Sequence, residues 1–244
     1  FCFISSAIYL FNDIRDISKD KLHPIKRYRP IASGKISKTF ARIASLIFVL
    51  ISLKIAQLIS YQFLFIILLY LLIQIAYCIR LKREPLLDIF CIASGFLLRA
   101  ISGLVATELR FSPWFILTIG LLALFLAVEK RKAELLYFKK TSILTRDILR
   151  SYSLPLLLRY ESLLVSGTFI SYSLWAAGPS LNGASSSWML ITLPFVLMGL
   201  FRYQFISDPE ISEIRKYNGK LLTTENPELI LIHDKAIRLV VFLW

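Results

Sequence analysis

Long, nearly uninterrupted apolar stretches dominate the pattern of hydrophobic and polar positions along the chain. They occupy residues 1–11, 40–59, 61–79, 86–107, 112–128, 155–178, 188–206 and 236–244. The six internal stretches approach the length of about 17–25 residues that a helix needs to cross a hydrocarbon core. No regular alternation of apolar and polar residues, typical of half-buried strands, competes with this pattern. It predicts an all-α, polytopic bundle of transmembrane helices.

The two terminal apolar stretches are too short to cross a membrane, and the chain begins with Phe1 rather than Met. We therefore expect residues 1–244 to be a single integral membrane catalytic domain that is truncated within a helix at each end. The first apolar stretch runs directly into an acidic segment rather than into a cleavage site, which argues against a signal peptide.

Basic residues concentrate in alternate connections between the apolar stretches. The connections 12–39, 80–85, 129–154 and 207–235 are rich in Lys and Arg, whereas the others carry little or no net charge. This asymmetry predicts that the basic connections lie on the cytoplasmic side of the membrane. Most of the net charge of +13 is therefore topological and says little by itself about ligands.

Composition changes the picture mainly by excluding classes of protein. Hydrophobic residues make up 57% of the chain and charged residues 18%, against roughly 45–50% and about 25% in soluble domains. So apolar a chain is neither disordered nor a soluble basic domain, and we expect no nucleic acid as a partner. The three cysteines all lie inside apolar stretches and form no disulfide framework or metal-binding spacing.

The first basic connection carries an acidic motif. Asp13, Asp16 and Asp20 are spaced i, i+3, i+7, which would place them on one face of a helix. Three carboxylates so close repel one another unless a cation lies between them. Mg²⁺ prefers hard oxygen ligands and completes its shell with substrate phosphates, so the motif predicts a magnesium site. The alternative is a polar helix end followed by a solvated loop.

Basic side chains lie close to this motif, and one lies inside an apolar stretch. Lys26, Arg27 and Arg29 follow the aspartates, and Arg can bind phosphate through two hydrogen bonds. Arg99 lies well inside the stretch 86–107, so we expect it to face the bundle interior or a polar cavity. A structural ion pair with a neighbouring helix remains the alternative for Arg99.

The pattern Asn12-Asp13-x-x-Asp16-x-x-x-Asp20 at the end of a membrane helix resembles the first aspartate-rich motif of the UbiA superfamily of intramembrane prenyltransferases. The extension from His23 to Gly34 is similar to the decaprenyl-phosphate phosphoribosyltransferase branch. Further similar segments are Tyr77-x-x-x-Leu81-Lys82, Ala93-Ser94-Gly95-Phe96-x-Leu98-Arg99-Ala100 and Lys130-Arg131-x-Ala133-Glu134. The resemblance implies a UbiA-like bundle of about nine helices in the full protein, with eight wholly or partly present here.

This chain departs from the wider superfamily in one segment that bears on the identity of the donor substrate. Ordinary members carry a second Asp-x-x-x-Asp motif where this chain has the basic segment Lys130–Glu134. A basic second site suits a donor that carries more phosphate charge than an isoprenyl diphosphate does. The alternatives are a topological anchor for Lys130 and Arg131, and an ion pair on the helix surface between Lys130 and Glu134.

The resemblance implies transfer of 5-phosphoribose from phosphoribosyl diphosphate to a polyprenyl phosphate, with release of pyrophosphate and dependence on Mg²⁺. Such a pentosyltransferase would make a cell-wall lipid precursor at the bacterial plasma membrane, with its active site facing the cytoplasm. The expected metal ligands are Asp13, Asp16 and Asp20, and the expected catalytic residues are Asp13, Asp16, Arg99 and Lys130. Further substrate-binding residues are Asn12, Asp20, Lys26, Arg29, Tyr77, Lys82, Arg131 and Glu134.

The basic residues among these have separate expected roles. Lys26, Arg29, Lys130 and Arg131 would neutralise the phosphates of the donor, and Arg99 with Lys82 would position the acceptor phosphate. The nearest alternative function is a prenyltransferase that moves an isoprenyl chain from its diphosphate to an aromatic acceptor. A non-catalytic lipid or phosphate transporter would instead show broken helices and inverted repeats, which the sequence does not reveal.

Overall fold

The computed structural model describes residues 1–22, 26–109, 112–141, 147–178, 183–184, 186–208, 230 and 232–244. Throughout these residues the regular structure is helical, without any strand, and the predicted all-α class is confirmed. The helices are α1 (Cys2–Arg15), α2 (Ile17–Leu22), α3 (Lys38–Ile59), α4 (Tyr61–Ile79), α5 (Leu87–Ala106), α6 (Pro113–Thr141), α7 (Leu154–Ala177), α8 (Leu193–Ser207) and α9 (Lys235–Leu243). Short 3₁₀ helices cover Lys26–Tyr28, Leu81–Arg83, Asp147–Ser151 and Ser187–Thr192.

Five helical segments are long and apolar enough to cross a membrane: Lys38–Ile59, Tyr61–Ile79, Leu87–Ala106, Pro113–Lys139 and Trp188–Ser207. They correspond to five of the six internal stretches that hydropathy predicts, and they support an integral membrane protein. The sixth stretch forms α7, which is long enough but less apolar because it contains several serines together with Arg159 and Glu161.

One segment expected to be a loop contains helix. α6 continues to Thr141, well past the predicted end of its apolar stretch at residue 128, so the basic segment Lys130–Glu134 is helical. Residues such as Glu, Lys, Arg and Ala favour helix, and oppositely charged side chains three residues apart stabilise it further. The hydropathy pattern marks where the apolar surface ends, and the helix extends beyond that point.

The acidic motif lies across a break between two helices. α1 ends at Arg15 and α2 begins at Ile17, with Asp16 at the junction in a non-helical conformation (φ −96°, ψ 8°). The expectation that the three aspartates share one face of a continuous helix is therefore wrong. Aspartate favours helix ends because its short side chain competes for nearby backbone hydrogen bonds.

The chain folds into two compact units, Phe1–Leu109 and Arg110–Trp244. In the first unit, α1 packs on α3, and α4 packs against α1, α3 and α5, around a core that includes Ile4, Ala56 and Ile67. In the second unit, α6 packs along α7, and α8 contacts both α7 and α9. That the whole chain acts as one catalytic domain remains a prediction.

An ion pair joins α8 to the start of α9 in the second unit. Asp234 caps α9 by accepting a hydrogen bond from the backbone amide of Ile237 at 2.9 Å. Arg202 of α8 donates to the same carboxylate from Nε at 3.2 Å and from Nη2 at 2.8 Å. Burial raises the pKa of Asp234, but the hydrogen bonds from Arg202 and Ile237 outweigh it and hold the pKa below its usual value.

We expect D234A to destabilise the second unit by about 1–3 kcal/mol, because it removes both the helix cap and the ion pair. D234N keeps a capping oxygen and removes only the charge, so it should cost less. Because the folded-state pKa lies below the unfolded value, this stabilisation is present at neutral pH and is lost as the pH falls through the folded-state pKa. Thermal unfolding in detergent measures both variants, and equal stability of D234A and the wild type would contradict the role.

Candidate active site

In the first unit, the acidic motif meets two basic side chains. Arg29 Nη1 donates to Asp13 Oδ1 at 2.7 Å and to Asp20 Oδ2 at 3.1 Å. Lys82 Nζ donates to Asp16 Oδ1 and Oδ2 at 2.7 and 2.8 Å and contacts Asn12 Oδ1 at 3.3 Å. Six predicted site residues thus form one polar cluster, which we call the aspartate cluster: Asn12, Asp13, Asp16, Asp20, Arg29 and Lys82.

Local structure explains how these side chains come together. Asp16 lies between the end of α1 and the start of α2, and Arg29 directly follows the 3₁₀ turn Lys26–Tyr28. Lys82 lies in the 3₁₀ turn Leu81–Arg83, which follows α4. Residues far apart in sequence therefore converge, and Asp16 is separated from Lys82 by 66 positions.

Arg29 and Lys82 neutralise part of the negative charge of the aspartate cluster. Burial raises the pKa of Asp13, and the charges of Asp20 and Asp16 add to that effect, whereas Arg29 opposes it. The net result is a pKa above the usual value for aspartate. An additional positive charge near Asp13 would therefore favour its ionised form.

The donor atoms fit a hard divalent cation, since carboxylate and amide oxygens are the ligands that Mg²⁺ prefers. Asp13 and Asp20 already meet at a single cationic nitrogen of Arg29. Within the described residues, however, no three His, Cys, Asp or Glu side chains are arranged to hold one metal ion together. Arg29 and Lys82 lie among the carboxylates that such an ion would bind.

Arg99 lies away from the aspartate cluster and has a different environment. It is exposed on α5, and its Nη2 donates to Ser5 Oγ of α1 at 3.0 Å. The rings of Phe1 and Phe96 each lie 5.9 Å from its guanidinium carbon. Across the described part of the chain, no carboxylate pairs with Arg99, so the alternative of a structural ion pair is not observed there.

In the second unit, the basic segment carries buried charge. Arg131 is fully buried and forms an ion pair with Glu134, three residues further along α6. Lys130 is half-buried on the same helix. The other predicted site residues lie in the first unit: Lys26 begins a 3₁₀ turn and Tyr77 is half-buried near the end of α4. His23, which belongs to the extended motif, lies outside the described residues.

Sequence reasoning missed a second charged group on α6. Lys132 is 1% exposed, and its Nζ contacts Glu129 of α6 at 2.7 Å, Glu161 of α7 at 2.5 Å and Ser207 of α8 at 3.0 Å. Gln204 donates a further hydrogen bond to Glu161 at 3.1 Å. We call Glu129, Lys132 and Glu161 the buried triad. Its one signal in the sequence is Glu161, a carboxylate inside an otherwise apolar stretch.

A polar cavity of about 320 Å³ lies beside the buried triad in the second unit. It is lined by Lys132, Leu158, Glu161, Ser162, Gln204, Phe205 and Asp208. Lys132, which donates hydrogen bonds to α7 and α8, forms part of the cavity wall. Lys132 therefore links α6 to α7 and α8 beside this cavity.

Comparison with known proteins connects these features to a family. The model of the UbiA prenyltransferase family matches residues 1–222. The chain belongs to the UbiA prenyltransferase family. It is therefore a transferase of that family, and the predicted family membership is confirmed.

Two curated relatives cover the full length of this chain. A decaprenyl-phosphate phosphoribosyltransferase of Mycolicibacterium smegmatis is 32% identical over 251 residues, which include all of this chain and 75% of the relative. The protein of the same name from Mycobacterium tuberculosis is 31% identical over 244 residues, which include all of this chain and 76% of that relative.

A solved structure supports the UbiA fold. A UbiA homologue from Archaeoglobus fulgidus, bound to DMAPP and Mg²⁺, has a TM-score of 0.73 and 20% sequence identity. The similarity covers 99% of this chain and 81% of that protein. The predicted UbiA-like helix bundle is confirmed.

We expect K132M to destabilise the second unit by about 3–5 kcal/mol, because it leaves two buried carboxylates without their cation. K139M, which alters an exposed lysine on the same helix, is the matched control and should have almost no effect. Thermal unfolding in detergent, followed by tryptophan fluorescence, compares the two. An equal and small change in both variants would contradict the structural role of the triad.

Proposed function

We propose that this UbiA-family transferase moves 5-phosphoribose from phosphoribosyl diphosphate to a polyprenyl phosphate and releases pyrophosphate. The observation that carries the proposal is the aspartate cluster, in which carboxylates suited to Mg²⁺ lie in direct contact with Arg29 and Lys82. Such a mixed cluster suits a ligand that brings both a divalent cation and several phosphate charges. The names of the two full-length relatives support the same donor and acceptor.

Within this proposal, Asp13 and Asp16 would hold Mg²⁺ on the donor's diphosphate, with Asp20 and the amide oxygen of Asn12 in support. The bound metal ion would supply positive charge to the leaving pyrophosphate. Arg29 and Lys82 would contact the phosphate oxygens, since the carboxylates hold both cations beside the proposed metal site. Lys26 and Tyr77 would complete the donor-binding surface of the first unit.

The reaction joins an oxygen of the acceptor phosphate to the anomeric carbon of ribose. The bond from that carbon to the diphosphate oxygen breaks, and pyrophosphate leaves with the electron pair. Positive charge develops on the sugar and negative charge on the leaving group, so fixed cations near the diphosphate lower the barrier. The acceptor phosphate is already anionic at neutral pH, and the step requires no strong general base.

The basic segment of the second unit has a proposed role of its own in binding phosphate and sugar groups. Lys130 would contact a phosphate, and Glu134 would accept a hydrogen bond from a sugar hydroxyl. Arg131 is buried against Glu134 and would hold that carboxylate in a fixed orientation. A fixed orientation matters because a freely rotating carboxylate loses conformational entropy each time the sugar binds.

The active site is proposed to face the cytoplasm at the bacterial plasma membrane. The basic connections of the chain support this orientation, because Lys and Arg are retained on the cytoplasmic side during insertion. The proposal also agrees with the charge of the donor, which is too polar to enter from the lipid.

We expect D13N and D16N each to reduce Mg²⁺-dependent pyrophosphate release by at least about a hundredfold, because each removes a charged metal ligand. The full-length protein in detergent is incubated with phosphoribosyl diphosphate, a polyprenyl phosphate and Mg²⁺. D147N, at an exposed aspartate, is the matched control and should remain active.

Two results would contradict the proposal. Full activity of both aspartate variants would exclude the metal assignment. Product formation from an isoprenyl diphosphate and a phenol, with none from phosphoribosyl diphosphate, would identify the alternative prenyltransferase reaction. Release that requires both proposed substrates supports the proposed reaction.

A further inference from the structure

Arg99 is a cation at membrane depth with no counter-charge among the residues that the structure describes. It lies 12 residues after Leu87, the first residue of α5, which corresponds to roughly 18 Å along the helix axis. Its guanidinium is exposed, whereas arginines inside membrane spans normally face a protein interior or a polar cavity. By contrast, Arg29 and Lys82 each contact a carboxylate. An exposed guanidinium at this depth is suited to bind an anion.

The surroundings of Arg99 hold it in one orientation. Ser5 Oγ accepts its hydrogen bond at 3.0 Å and lies 3.3 Å from the hydroxyl of Tyr70 on α4. Tyr70 is 5% exposed, so its ring is fixed by packing. The aromatic rings of Phe1 and Phe96 flank the guanidinium. Because Ser5 uses one N–H group of the guanidinium, the other donors remain available to a ligand.

The register of α1 relates this position to the aspartate cluster. Ser5 and Asn12 are spaced i, i+7, which places them within about 20° of one another around the helix. Ser5 and Asn12 are seven residues apart, or roughly 10 Å along the axis. One face of α1 therefore carries two separate cationic positions, with Lys82 held at the end of the helix and Arg99 held deeper.

We propose that Arg99 binds the phosphate of the lipid acceptor, and that Ser5 and Tyr70 are positioning residues that orient its guanidinium. This inference rests on the proposed function and separates the roles of the two cations. Lys82, held by Asn12 and Asp16, serves the donor diphosphate, whereas Arg99 serves the acceptor.

The chemistry of the transfer agrees with two cations at different depths. The attacking oxygen and the leaving diphosphate lie on opposite sides of the anomeric carbon in a displacement reaction, so their anionic groups need separate partners. The acceptor carries an apolar chain, and its phosphate reaches the site from the lipid rather than from water. A cation deeper than the aspartate cluster matches that approach. It also selects against an uncharged phenol. A phenol has no charge–charge attraction to the guanidinium that would offset the cost of removing water from the guanidinium.

Direct binding tests this inference without catalysis. Farnesyl phosphate should stabilise the full-length wild-type protein against thermal unfolding in detergent, and farnesol, which lacks the phosphate, should not. The R99M variant should lose at least about tenfold in affinity for farnesyl phosphate, since a charge-assisted hydrogen bond is removed. Equal affinity of R99M and wild type for farnesyl phosphate would overturn the inference.

Kinetics test the positioning roles. We expect S5A to raise the KM for polyprenyl phosphate about three- to tenfold, and Y70F to raise it less, with the KM for phosphoribosyl diphosphate unchanged in both. S6A, at the exposed serine next in the chain, is the matched control and should leave both KM values unchanged. A rise in the donor KM of S5A without a rise in the acceptor KM would overturn the assignment.

The two proposals fail separately. Arg99-dependent binding of farnesyl phosphate without transfer from phosphoribosyl diphosphate would support the acceptor site and contradict the proposed reaction. Transfer between the proposed substrates with an acceptor KM that R99M leaves unchanged would support the reaction and overturn the acceptor site.

Discussion

The need to neutralise charge beside hydrocarbon is the constraint on which both units depend. An ion transferred from water to a low-dielectric environment costs several kcal/mol even after the protein relaxes. Arg29 and Lys82 reduce that cost for the aspartates of the first unit, and Lys132 does so for two carboxylates of the second. These contacts also join separate elements of each unit, such as α6 and α7 through Lys132 and Glu161. Arg99 has no carboxylate partner in the described part of the chain, and its proposed partner is the phosphate of a ligand.

The same pairing prepares the aspartate cluster for phosphate chemistry. Arg29 and Lys82 are held in place by carboxylates before any substrate arrives, so their positive charge is already oriented when an anion enters. Preoriented charge costs no reorganisation during the reaction, which is why it stabilises a transition state better than mobile solvent does. Under the proposed function the aspartates would act twice, as oxygen donors for a cation and as supports for the basic side chains.

The hydropathy pattern was sufficient to predict the helices, because a membrane-spanning segment must satisfy its backbone internally and present apolar side chains. It could not predict that α6 continues through Lys130–Glu134, since charged helix beyond the membrane resembles a loop in hydropathy alone. The aspartate motif predicted the family, and the spacing of Asp13, Asp16 and Asp20 suggested one helical face. The break at Asp16 depends on backbone conformation that spacing does not encode. The contact between Lys132 and Glu161 depends on how α6 and α7 pack, which a single sequence does not reveal.

The buried triad also bears on how the protein enters the membrane during synthesis. Glu129 and Lys132 lie three residues apart on α6, so they can neutralise each other as soon as that helix forms. Glu161 obtains its cation only when α7 meets α6. A translocon that released α7 alone would expose an unpaired carboxylate to lipid, whereas release of the two helices as a hairpin would not. The position of one glutamate thus favours paired over sequential insertion of these helices.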